Sequence, residues 1–361
     1  MLVYWLLFAF FAVGAMIAEP MLAPAPAGPH SPARQADRTP FRAFFAIGAI
    51  ATVLLIGLRF KVGADWYNYQ LIFNEIKTES LLSAVQVGDP AYQFLNWAAS
   101  HLFRARIWFV NFVSAAIFSW GLYRLSRVQP SPWLAFAVAV PYMVIVVAMG
   151  YTRQSIALGV LMAGLAKQSR GASTLNFAIY VAVAAAFHKT AVVMFPLVAL
   201  SGRGNRLVNI LLAVSASILM YDFFLGDSMQ VLVHNYIDTE YSSQGALTRC
   251  TMNFVAAILL WIFRHRLGFD QHEFKIWRNF ALASLLFMIL LGVLSSTTVV
   301  DRLSLYLMPL QIVILSRVAL LGGSRIAGTA AILAYSFLIE FVWLNFADHA
   351  RYWVPYQLFA F

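Results

Sequence analysis

Apolar residues run along this chain in long blocks, near 1 to 18, 43 to 58, 106 to 123, 132 to 149, 152 to 166, 174 to 187, 189 to 200, 207 to 224, 250 to 263, 274 to 293, 303 to 319 and 326 to 343. The blocks are continuous rather than alternating, which fits helices and not strands. They predict an all-α polytopic membrane protein, a single integral domain over residues 1–361 with about 12 transmembrane helices. Several central blocks hold only about 12 to 15 residues, short of the roughly 20 needed for a full span, so tilted or broken helices beside a cavity are expected there. The stretch Tyr92 to Phe103 is also too short to span comfortably and reads as an interfacial or re-entrant helix.

Composition agrees with this picture: 61% of residues are hydrophobic and only 11% charged, too few to cover a soluble globule. The first 18 residues have no positive charge ahead of their apolar core and are expected to be a retained helix rather than a leader. Net charge is +10, yet the basic residues come in small groups between apolar blocks, a topology signal rather than a nucleic-acid stripe. Assigning alternate loops to two sides gives one side fifteen of the 25 lysines and arginines with four acidic residues, and the other ten with eleven. The positive-inside rule then puts the first side in the cytoplasm and both termini outside. The Pro- and Ala-rich segment 19–40 is expected as a cytoplasmic linker, and the single Cys250 as a packing residue.

With that topology, polar residues at distant helix ends fall on the outer side. Arg59, Lys61 and Asp65 follow the second block, in a segment 59–105 that holds the interfacial helix; Arg153 and Gln154 open the fifth. His188 and Lys189 end the sixth, Asp301 and Arg302 open the eleventh, and the outer loop 225–249 could cover them. Arg59, Arg153 and Arg302 are candidates to hold a diphosphate, because a guanidinium offers five donors in a planar fork matched to phosphate oxygens. His188 and Asp65 are rival general bases; Gln154, Lys189, Asp301 and Tyr67 are candidates to position a sugar. No His-x-x-x-His pair or spaced carboxylate cluster suggests a metal, and no cofactor is expected. Each residue also has a plainer reading: snorkelling for the arginines, N-capping for Asp301, a turn after Gly63 for Asp65 and an aromatic belt for Tyr67.

At these residues the chain resembles the EpsG family of exopolysaccharide polymerases, related to the Wzy polymerases. The blocks are GLRFKVGADWYNYQLIF at 57–73, DPAYQFLNW at 89–97, GYTRQSIALGV at 150–160, AFHKTAVVMFP at 186–196, DRLSLYLMP at 301–309 and the terminal WVPYQLF. The resemblance implies a membrane-embedded glycosyltransferase, sharing a helical architecture with O-antigen ligases. It would join undecaprenyl-diphosphate-linked oligosaccharide units on the outer face of the bacterial inner membrane. Implied partners are that lipid-linked oligosaccharide, membrane lipids, and a flippase and chain-length regulator of the same pathway. A transporter or flippase of lipid-linked sugars, and a membrane acyltransferase, are the competing classes. A transporter would need charges spread through the depth of the bundle, and here they gather at helix ends.

Overall fold

The computed structural model describes residues 1–22, 39–201, 245–294 and 297–359, with a few single positions between 207 and 218. The described residues are helical, with one isolated bridge, Arg59 to Leu358, and no named strand. In chain order the helices are α1 (Leu2–Leu22), α2 (Thr39–Gly57), α3 (Trp66–Ile76), α4 (Leu81–Gln86), α5 (Pro90–His101) and α6 (Ile107–Arg127). Then follow α7 (Pro132–Ala139), continued as a π-helix over Val140–Ala148, α8 (Thr152–Gln168), α9 (Thr174–Phe187) and α10 (Met194–Ala199). The last group is α11 (Ala246–Phe263), α12 (Gln271–Val293), α13 (Thr298–Ser304), α14 (Pro309–Val318) and α15 (Arg325–Phe346). The block at 207–224, the loop from 225 to 244 and most of the linker 19–40 lie outside the described residues.

The all-helical class stands, but the number of spans does not follow from the number of blocks. Among the described residues three helices, α11, α12 and α15, are long and apolar enough to cross a membrane. A fourth candidate is the pair Thr298–Leu307 and Pro309–Val318, bent by 47°. About 12 spans is therefore not confirmed. Several other blocks form apolar helices of only 10–17 residues among the described residues: Leu2–Ile17, Phe41–Gly57, Pro132–Ala148, Thr174–Phe187 and Lys189–Ala199. The helix at Pro90–His101 matches the short element expected between the second and third blocks.

At the centre lies α8, buried along nearly its whole length from Thr152 to Gln168. It packs closely on α6 because glycines face each other: a methyl on Gly121 would overlap the Gly159 carbonyl, and one on Gly159 would come 2.5 Å from the Phe118 Cα. The C-terminal segment closes the bundle. Phe359 N–H donates to the Leu58 carbonyl (2.7 Å) and Phe60 N–H to the Gln357 carbonyl (2.9 Å). Trp353 inserts between helices, its indole N–H donating to the Ile145 carbonyl (2.7 Å) while its own carbonyl accepts from the Tyr4 hydroxyl (2.8 Å). These bonds explain the position of the WVPYQLF block, which clamps the end of α2 from the far end of the chain.

Candidate functional site

The turn before α3, the π-helix, the starts of α8, α11 and α13 and the end of α15 meet around a cavity of about 1340 Å³. Gly63 sets one wall. It has φ +106, and a methyl there would collide with the Met149 carbonyl, so only glycine lets the chain turn against α8 and deliver Asp65 to the cavity. From α13 come Asp301 and Arg302, and from the first turn of α11 come Thr248 and Arg249. Gly245 makes room for that arginine, since a methyl would come 2.5 Å from its Nη2. The opposite wall is apolar and belongs to α15, through Leu338, Ile339, Val342, Trp343 and Phe346.

Arg249 was not among the residues singled out by sequence, which placed it in the loop 225–249. The structure begins α11 at Ala246, so Arg249 is helical and buried. Its Nη1 pairs with Asp301 Oδ2, its Nε donates to the Tyr142 hydroxyl (2.5 Å), and its Nη2 reaches the Tyr151 hydroxyl (3.4 Å). Arg302 stacks its guanidinium 4.2 Å from the centre of the Tyr151 ring, and its carbonyl accepts from Gln154 Nε2 (2.7 Å). Two guanidinium groups therefore share Tyr151 and face one cavity, which Arg351, Asp65, Asp301, Asp348 and His349 also line. Asp65 is half-buried at the junction; burial pushes its carboxyl up, against the opposing pull of Arg302 and Arg153.

Beside the cavity stands a second constellation, built on a residue not picked out as functional. Asp89, 4% exposed and just before α5, accepts from Arg153 Nη1 (2.9 Å) and from the Lys189 backbone N–H (3.1 Å), and lies 3.5 Å from His188 Nδ1. Burial opposes its ionisation, but the hydrogen bond and charge of His188, with Arg153 and the Lys189 N–H, hold its carboxyl below the usual carboxylate range. The signal available in sequence was the DPAYQ block itself, an Asp-Pro helix start with nothing else to cap.

The other residues distribute as follows. Arg59 does not reach the cavity: it is 1% exposed, and its donors go to the carbonyls of Ile56 (2.6 Å) and Val62 (3.2 Å), to Thr152 Oγ1 (2.8 Å) and to Asn111 Oδ1 (3.4 Å). The three arginines Arg59, Arg153 and Arg302 are thus held in three separate settings rather than one. Tyr67 is 59% exposed on α3 and outside the cavity lining. Asp301 lies within the first turn of α13, whose N-cap is Thr297. Among the described residues no group of three or more His, Cys, Asp or Glu comes together as a metal site would.

The fold and this charged cavity define a membrane protein with a polar site at the ends of its helices. More narrowly, the EpsG family model matches residues 42–358, and the chain belongs to the EpsG family. The family suggests a polysaccharide polymerase with a lipid-linked polysaccharide substrate. No curated protein and no solved structure matches the chain.

Proposed function

We propose that the chain joins oligosaccharide units carried on undecaprenyl diphosphate, on the outer face of the inner membrane, by metal-independent glycosyl transfer with inversion. The observation that carries this reading is the pairing of Arg249 and Arg302 around Tyr151 in a cavity with an apolar wall from α15, beyond which Asp348, His349 and Arg351 complete the polar part. Such a site suits a substrate with an anionic head and a lipid body. Arg302 is the primary phosphate ligand, because no ion pair occupies it among the described residues, whereas Arg249 already holds Asp301. Guanidinium donors at the leaving oxygen stabilise the charge that develops as the anomeric carbon–oxygen bond breaks.

In this scheme the terminal hydroxyl of the acceptor unit gives its proton to Asp65 and attacks the anomeric carbon from the face opposite the diphosphate. The new glycosidic bond forms as the diphosphate leaves with both electrons. Asp65 is the favoured base because it lines the cavity and burial moves its carboxyl toward neutrality. A second reading, with His188 as base, is supported by the buried Asp89 at its Nδ1, which would leave Nε2 open to substrate. Arg153, Gln154 and Lys189 then form the wall between the two groups, and Asp301 orients Arg249.

The test uses purified full-length protein and lipid-linked repeat units taken from cells lacking it. Elongation should continue in EDTA; a strict requirement for added divalent metal would remove the metal-independent scheme. Asp65→Asn should abolish elongation while His188→Gln retains part of it. The reverse order would transfer the base to His188.

A further inference from the structure

The apolar wall of the cavity is unusual in where it points. On α15 the lining positions 335, 338, 339, 342, 343 and 346 recur at helical spacing, so they form one continuous stripe. Its inner edge is packed: the Trp343 ring meets Trp353 edge-on at 4.8 Å, and Trp353 is held by the Ile145 carbonyl. Its outer edge is open, with Leu338 56%, Val342 48% and Phe346 71% exposed on a helix that is apolar enough to cross a membrane. One side of the cavity is therefore also an exposed apolar flank of α15.

We propose that this stripe is the bed of the substrate's hydrocarbon tail, which enters laterally and leaves only the diphosphate and sugars in the polar part of the cavity. The inference rests on the diphosphate reading above and adds where the lipid lies. Charge argues for this occupant. The stripe begins beside Arg249 and Arg302, so a ligand with an anionic head and an aliphatic body satisfies both walls at once, while a sugar would leave the stripe uncovered. Length agrees too. Residues 335 to 346 cover roughly 16 Å at ~1.5 Å per residue, about half the ~30 Å hydrocarbon thickness of a bilayer. The bed thus spans one leaflet, the depth available to a chain whose head stays at the surface. Its floor of Trp343 and Trp353 is rigid, and its lip is exposed side chain, so entry needs no movement of the helix.

The experiment measures binding of two probes, inorganic pyrophosphate and geranylgeranyl diphosphate, to the full chain in nanodiscs. Wild type should bind the tailed probe more tightly than pyrophosphate by a margin that remains after its partition into protein-free nanodiscs is subtracted, because lipid is as apolar as the stripe and partition alone is not binding. Val342→Trp and Leu338→Trp, which narrow the stripe at exposed positions, should remove most of that advantage and leave pyrophosphate binding unchanged. Ile326→Trp, exposed on the same helix outside the cavity, should change neither. Equal affinity of wild type for the two probes would overturn the tail bed while leaving the diphosphate site in place. Failure of wild type to bind either probe would overturn the diphosphate reading and the bed with it. A benzophenone-tailed diphosphate should label α15 over Leu338 to Phe346 far more than a benzophenone-tailed phosphatidylcholine does. Equal labelling would show an ordinary lipid-facing flank and overturn the proposal.

Discussion

Two buried arginine–carboxylate pairs sit in different parts of this bundle, and they differ in what surrounds them. Arg249 pairs with Asp301 beside the cavity; Arg317, near the end of α14, pairs with Glu273 at the start of α12 (2.9 Å). Arg317 spends its other donors on the Leu267 carbonyl (3.0 Å) and on Gln129 Oε1 (3.3 Å), and its guanidinium lies 4.1 Å from the centre of the Phe269 ring. Neither Arg317 nor Glu273 lines the cavity, and the pair ties α12 and α14 to the turn between α6 and α7. Around Arg249 the other partners are two tyrosine hydroxyls, a second arginine stands next to it, and the remaining side is open volume. An ion pair whose other partners are carbonyls and an amide away from the cavity fixes a fold; one that lines the cavity is placed to meet a ligand. Arg59 teaches the same lesson within the site end, where a guanidinium consumed by two carbonyls and two side chains acts as a joint between α2, α6 and α8.

The contrast can be broken by substitution, and the largest effect is expected at the pair of Arg317 and Glu273. Arg317→Met leaves Glu273 buried without its partner and should cost about 3–5 kcal/mol of stability. Thermal unfolding in detergent and the amount of inserted protein would report it. Arg317→Met with Glu273→Met should recover most of that loss. Arg302→Ala should instead leave unfolding nearly unchanged and lower elongation by roughly 10²–10³, the usual cost of deleting one donor to a developing anion. If Arg302→Ala instead unfolded the protein while Arg317→Met left it stable but inactive, the division between the two ends would be wrong.

Smaller effects sharpen the site end itself. Burial holds Asp65 above the ordinary carboxylate value of about 3.9, and Arg302 and Arg153 pull it down. A base works only when deprotonated, so elongation should rise with pH through that raised value. Arg153→Met should move the acid limb further up. A limb unmoved by Arg153→Met would separate Asp65 from the titration that matters. Asp89 has the opposite sign: its folded-state carboxyl is held low, so its contribution to stability is present above about pH 3.9 and is lost as pH falls through the folded value. Asp89→Asn should therefore flatten the acid side of the stability profile, the smallest change in the series, read by unfolding as pH falls from about 5 toward about 1.

Much of this architecture was legible in the sequence because the bilayer imposes simple rules. Continuous apolar blocks gave the helices, and the ordered polar blocks brought Asp65, Arg302 and Gln154 to one neighbourhood, as the structure shows. What a linear reading could not carry is direction. Arg59, Arg153 and Arg302 look alike at helix ends, yet the side chain of Arg59 turns into the protein, that of Arg153 toward Asp89 and that of Arg302 onto Tyr151. Arg249 was hidden because the apolar block begins one residue after it, while the helix begins three residues before. Span number is not confirmed because several apolar blocks fold among the described residues as helices of only 10–17 residues.

The most direct test of the account is a structure of the full chain with a bound lipid diphosphate. The account predicts phosphate oxygens within hydrogen-bond distance of Arg302 and Arg249, with the tail against Leu338 and Val342. Phosphate held instead by Arg153 beside Asp89 and His188, with the cavity at Tyr151 unoccupied, would contradict it.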